Sequence, residues 1–139
     1  MKRMVLAAAL FGLGLPGCVA LEQPEASVTA PVLDAAMLVG TWDVEMYYSV
    51  TESPSSTELV ITEARDGKLT GSFYQSDFEA ANYSIRRGIL AFGATTSDGS
   101  ATYSHSGRLA GEPGQQVIEG QTLSSGRNFL MIWSAKKRG

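Results

Sequence analysis

The 139 residues carry eleven Lys and Arg against fourteen Asp and Glu, a formal charge of −3. The basic residues nowhere form the stripe that would release phosphate counterions, so nucleic acid is excluded as a partner, and the late run Lys136-Lys137-Arg138 reads as a solubilising tail. One cysteine and one histidine exclude an internal disulfide and any metal site built from Cys and His clusters.

The chain opens with the basic segment Met1-Lys2-Arg3, the apolar run Met4–Leu15 and the junction Pro16-Gly17-Cys18. That order predicts a secretory signal peptide over 1–17, because the run falls short of the roughly 20 apolar residues a membrane-spanning helix needs. Leu15-Pro16-Gly17-Cys18 resembles the bacterial lipobox, in which a Leu stands three residues before an invariant Cys with a small residue between. The resemblance implies a diacylglycerol thioether on Cys18, cleavage before it and acylation of the new N-terminus, a lipid anchor stronger than the two signals that stable membrane attachment takes. The competing reading makes Cys18 an inert residue of a leader cut after Ala20, since Cys18-Val19-Ala20 fits a small-x-small site. Val19 following the Cys resembles lipoproteins exported to the outer membrane of Gram-negative cells, so the expected location is the envelope, lipid-anchored and facing the periplasm. Without Lys2 and Arg3 the processed chain carries 9 − 14 = −5 charges.

Residues 18–36 read as a lipidated flexible tether. After Cys18 they contain two prolines, three acids and no aromatic residue, too little to bury. About 18 such residues reach roughly 25 Å. Within them, Leu33–Val39 offers a single helical turn against the domain that follows.

Residues 37–139 carry evenly spaced turn signals: Ser53-Pro54-Ser55, Asp66-Gly67, Gln75-Ser76-Asp77, Arg87-Gly88, Asp98-Gly99, Gly111–Gly114 and Ser125-Gly126. Such spacing, with Asp-Gly pairs, is what successive hairpins produce, and seven turns separate eight strands. In "TWDVEMYYSV" the set Trp42, Val44, Met46, Tyr48 and Val50 is apolar and the alternate set mostly polar, which predicts one buried face. "KLTGSFY" likewise places Leu69, Gly71 and Phe73 inward. "NFLMIWSAKK" is apolar on both faces and is expected to meet a neighbouring element on its outer side. The fold class is all-β. A sandwich and a closed barrel both accommodate eight short antiparallel strands. Consecutive hairpins favour the eight-stranded antiparallel up-and-down β-barrel, which also removes exposed edges.

Gly40-Thr41-Trp42 at the head of the first strand resembles the Gly-x-Trp signature of lipocalins and fatty-acid-binding proteins, and Trp133-Ser134-Ala135-Lys136 resembles the Trp-x-x-Arg ending of the avidin branch of that calycin-type superfamily. The resemblance implies that Gly40 and Trp42 mark the closed end of a barrel. It also implies that Trp42 is capped by a last-strand cation, Lys136 or, as second choice, Arg138. Lys136 stands where the family has Arg, and the chain is shorter than typical lipocalins, which implies a small cavity.

The residues offer little catalytic chemistry, and the expectation is a protein that is not an enzyme. A triad needs three groups brought together, and Ser and Asp are too common to count. No Asp-rich loop has calcium-ligand spacing, so no metal and no cofactor are expected. Gly67–Gly71 and Gly107–Gly111 lack a following helix and read as turn punctuation rather than phosphate cradles. Asn82-Tyr83-Ser84 matches a glycosylation triplet by chance. The single histidine, His105, shares a face with Tyr103, Gly107 and Leu109. Tyr48, Phe73, Tyr83, Phe92, Tyr103 and His105, with Trp133, are the candidate lining of an aromatic interior with polar tips, the usual furnishing of a small-molecule pocket. The first functional reading is therefore a membrane-tethered envelope lipoprotein whose barrel binds a small apolar or aromatic ligand. The alternative is an envelope interaction protein with a filled barrel and a protein partner, resembling periplasmic inhibitors of proteases or lysozyme that act through surface loops. The missing disulfide counts against that alternative. An open volume of roughly 300 Å³ or more separates the two.

Overall fold

In a computed structural model of the chain, the described residues are 32–139 together with Gly14 and Gly17 taken singly. The signal peptide expected over 1–17, the lipid site at Cys18 and the tether up to residue 31 otherwise lie outside the described residues.

Nine strands follow one short helix: a 3-10 helix Ala35–Leu38, then β1 Gly40–Tyr47, β2 Ser55–Arg65, β3 Lys68–Phe73, β4 Ser76–Asp77, β5 Ala80–Arg86, β6 Ile89–Ser97, β7 Thr102–Ala110, β8 Val117–Ser124 and β9 Phe129–Lys137. All pairings are antiparallel, in the order β2-β1-β9-β8-β7-β6-β5-β3-β4 with β2 also pairing β3. The eight longer strands thus close into the expected barrel. The two-residue β4 lies within the Gln75-Ser76-Asp77 turn and folds back on Ser72 and Phe73. The seam between β3 and β5 is the thinnest, with Lys68 opposite Asn82 as its one register pair.

The turns follow from local chemistry. Asp66-Gly67 (φ 52° and 77°) and Arg87-Gly88 (φ 50° and 73°) are left-handed at both positions, the two-residue turn whose twist matches its flanking strands. Of the two Gly-x-Leu-x-Gly echoes, Gly67 and Gly111 do sit in turns, but Gly71 and Gly107 lie inside β3 and β7. Gly71 stands opposite Ile61 at the bulge where β2 skips register before Glu63, and such a bulge bends the sheet toward closure.

Trp42, Val44 and Met46 are buried, whereas Asp43, Glu45 and Tyr47 face water. The expected continuation of the inner face to Tyr48 and Val50 does not occur. β1 ends at Tyr47, so Tyr48 is 57% exposed and Val50 fully exposed in the loop to β2. The expected element over the outer face of β9 is also missing among the described residues: Leu130 and Ile132 stand 59% and 62% exposed beside Tyr47 and Leu123.

The closed end is built around Trp42. Asp34 caps the 3-10 helix by accepting from the Ala36 N–H at 2.9 Å. The helix delivers Leu38 into the core, where its carbonyl accepts from the Trp42 indole N–H at 2.8 Å. The cation over the ring is Lys137, with Nζ 5.3 Å from the ring centre and donating to the Met37 carbonyl at 3.0 Å. Neither Lys136 nor Arg138 takes that place. Met131, Trp133 and Ala135 point inward, so period 2 sends Lys137 over the closed end and turns its two neighbours outward. Lys136 lies opposite Asp43 in the register, and Arg138 bridges Asp43 and Glu58 on the outside. A Cβ at position 40 would stand 2.9 Å from Lys137 Cε. Gly40 is therefore the residue that lets the lysine stem pass.

Candidate functional site

The two halves of the barrel interior are filled differently. Gly107 and Gly120 face each other in the β7–β8 ladder. A Cβ on Gly107 would lie 2.7 Å from the Phe92 ring and one on Gly120 would lie 2.2 Å from the Trp133 ring. The paired glycines thus leave room for two aromatic rings across the barrel's waist. Below them Leu38, Trp42, Ile61, Leu69, Leu90 and Ile118 complete one apolar cluster. Above them the barrel is hollow: a cavity of about 280 Å³ opens at the end that carries the loops after β1, β3, β6 and β8.

The depth of the cavity is apolar and aromatic, with Met46, Met131, Phe129 and Phe73 on its walls. Phe73 stacks 4.4 Å from the His105 ring and 5.2 Å from Trp133. His105 is buried and held on both nitrogens, by Thr96 Oγ1 at 2.9 Å from Nε2 and Thr122 Oγ1 at 2.8 Å from Nδ1. Thr122 Oγ1 also accepts from the Trp133 indole N–H at 3.0 Å. Burial pushes the His105 pKa down to about 4, because the charged ring would lose its water. The sequence pattern set His105 on one face with Tyr103. The corrected partners are threonines on the two flanking strands, paired with β7 across the sheet.

The mouth is polar on one side. Asp98, at the β6–β7 turn, accepts at Oδ1 from Ser100 N–H (2.9 Å), Ser100 O–H (2.8 Å) and Ala101 N–H (2.9 Å). At Oδ2 it accepts from the Tyr103 hydroxyl at 2.7 Å and from Arg127 Nη2 at 2.9 Å. These bonds, the Tyr103 hydroxyl foremost, hold the Asp98 carboxyl well below the usual carboxylate range, and the same contact raises the Tyr103 pKa. Arg127 also donates to Ser100 Oγ at 2.7 Å and lies 6.0 Å over the Tyr103 ring. Tyr48, Tyr74 and Ser76 form the opposite rim.

Of the residues singled out from sequence, Phe73 and His105 line the cavity and Tyr48 and Tyr103 edge it. Phe92 and Trp133 belong to the waist beneath it, and Tyr83 packs against the core beside its register partner Phe92. The sequence reading missed Thr96, Thr122, Asp98 and Arg127. A signal for the last two existed. In an up-and-down barrel alternate turns share one end, so the Asp98-Gly99 turn and the Ser125-Gly126-Arg127 turn bring opposite charges together.

The fold and its interior define a small all-β barrel, filled at one end and hollow at the other, compatible with a calycin-like fold. The chain matches no protein-family model, no curated protein and no solved structure.

Proposed function

We propose that this protein is a small-molecule-binding barrel held at the bacterial envelope by a lipid on Cys18. The observation that carries the binding reading is the hollow open half. A cavity of about 280 Å³ sits at the lower edge of the roughly 300–1,000 Å³ typical of ligand pockets, and its apolar walls with a few placed polar groups match their usual lining. A dry cavity of about 150 Å³ already binds benzene, so the ligand class is one or two rings or a short branched chain, not a long acyl chain. The reading assigns no catalytic step, since the single histidine is engaged on both nitrogens by threonine hydroxyls.

Titration of the Cys18→Ser chain with small fluorescent naphthalene probes tests the binding reading. Saturation at one probe per chain in the micromolar range is expected, and no saturation below millimolar concentration contradicts it. The anchor is tested separately: palmitate label is expected on the wild-type chain and absent from Cys18→Ser.

The second reading, an envelope interaction protein acting through its surface, draws on the exposed apolar set Tyr47, Leu123, Leu130 and Ile132 on the outside of β1, β9 and β8. It predicts that charged substitutions at Leu130 and Ile132 abolish a protein contact and leave probe binding intact.

A further inference from the structure

Resting on the cavity reading, we infer that the ligand is an acid: a small aromatic or branched apolar carboxylate, its apolar body in the barrel and its carboxylate at Arg127.

The carboxylate and imidazole acceptors are consumed. Asp98 is the one carboxylate on the lining, and its two oxygens already take five donors. Deeper in, Thr122 Oγ1 accepts the Trp133 N–H, which can only donate. Its other side-chain partner among the described residues is His105 Nδ1, and Thr96 Oγ1 bonds Nε2, so the neutral ring donates at one nitrogen and accepts at the other. His105 is left with neither a donor nor an acceptor for a guest.

The donors are in surplus. In either tautomer one threonine hydroxyl proton, on Thr96 or on Thr122, is left without a ring acceptor. Tyr74 and Ser76 bring hydroxyls with no hydrogen bond among the described residues, and Arg127 spends only Nη2, which leaves its Nη1 and Nε hydrogens uncommitted there. A cationic amine would lose its water and find only neutral hydroxyl oxygens, with no uncommitted carboxylate, to accept from it, a penalty binding sites impose steeply. A carboxylate meets the guanidinium N–H groups left at Nη1 and Nε one hydrogen bond at a time, since both fork edges include the engaged Nη2. Its apolar remainder replaces water along Phe73, Phe129, Met46 and Met131.

The test compares three probes of one shape, 1-naphthoate, 1-naphthamide and 1-naphthylmethylamine, by calorimetry at pH 7 on the Cys18→Ser chain and on the same chain with Arg127→Gln or Arg127→Lys. The acid is expected to bind about tenfold more tightly than the amide, and the amine more weakly than both. Arg127→Gln should bring acid and amide within about threefold, while Arg127→Lys should keep most of the acid preference. Unchanged circular dichroism and melting temperature in both variants show that the barrel remains folded. Amide binding as tight as the acid, or an acid preference that survives Arg127→Gln, overturns the inference and leaves the cavity reading standing. Failure of all three probes to saturate overturns the cavity reading, and the inference with it.

Discussion

The two ends of this barrel are made from the same repeating hairpins and packed to opposite purposes. At the closed end, Trp42 is hydrogen-bonded to Leu38, roofed by Lys137 and surrounded by branched aliphatic side chains. At the open end the inward positions hold Thr96, His105, Thr122 and two methionines around empty space. The difference teaches that stability and binding are segregated along the barrel axis. The Gly107–Gly120 waist with its two aromatic rings is the partition between them.

The largest effect should come from the closed end. Trp42→Ala removes its central ring and should cost about 3–5 kcal/mol in denaturant unfolding. An unchanged midpoint would show that this end is not the stability core. Next comes the partition. Gly120→Ala forces a Cβ to 2.2 Å from the Trp133 ring, and overpacking of this kind should cost about 1–3 kcal/mol. It should also alter probe binding, because the displaced ring moves toward Phe73 and the cavity floor.

His105→Leu separates a structural role from a binding one. Loss of the ring leaves the Thr96 and Thr122 hydroxyls without their ring partners and should cost about 1–3 kcal/mol, with probe affinity changed little. The wild-type pH dependence has a definite sign. The folded pKa of about 4 lies below the unfolded value of about 6.5. Between them the unfolded chain binds more protons, so stability falls as pH drops from about 6.5 to about 4 and is flat above. Below that window Asp98, whose folded pKa is depressed, loses its own contribution as the carboxyl protonates. His105→Leu should erase the first window and keep the second. Asp98→Asn should do the reverse. Melts at pH 5 and pH 7 read the first window directly.

The smallest effect sharpens the closed end. Lys137→Ala should cost about 0.5–1 kcal/mol for the lost contact over Trp42, while Lys136→Ala on the outer face should stay within about 0.5 kcal/mol. Equal effects would erase the distinction between the two lysines.

Much of the frame was legible because it is local. Most of the turns fall where Gly, Pro, Asp or Ser supplies the backbone freedom a hairpin needs, although after β3 the left-handed positions are Tyr74 and Gln75 (φ 51° and 65°), and Trp42, Val44 and Met46 show their burial in a strict alternation. The errors arose where the answer depends on partners far along the chain. Tyr48 continues the alternation in sequence, yet the sheet stops pairing one residue earlier. Lys136 fits an ending similar to Trp-x-x-Arg, but the parity of Trp133 and Ala135 carries Lys137 to the ring. The glycine pair, the threonines holding His105 and the Asp98–Arg127 bridge exist only once register has set strands β6 to β9 side by side. The candidate site was therefore half readable: its aromatic content could be seen, its polar geometry could not.

The central claim, a hollow open half above a filled closed half, is tested most directly by methyl NMR of methionine-labelled protein during titration with 1-naphthoate. Met46 and Met131 line the cavity, whereas Met37 sits at the closed end beside Lys137. The account predicts saturable shifts at Met46 and Met131 with Met37 unmoved. Shifts at none of the three, or at Met37 as strongly as at the other two, would contradict it.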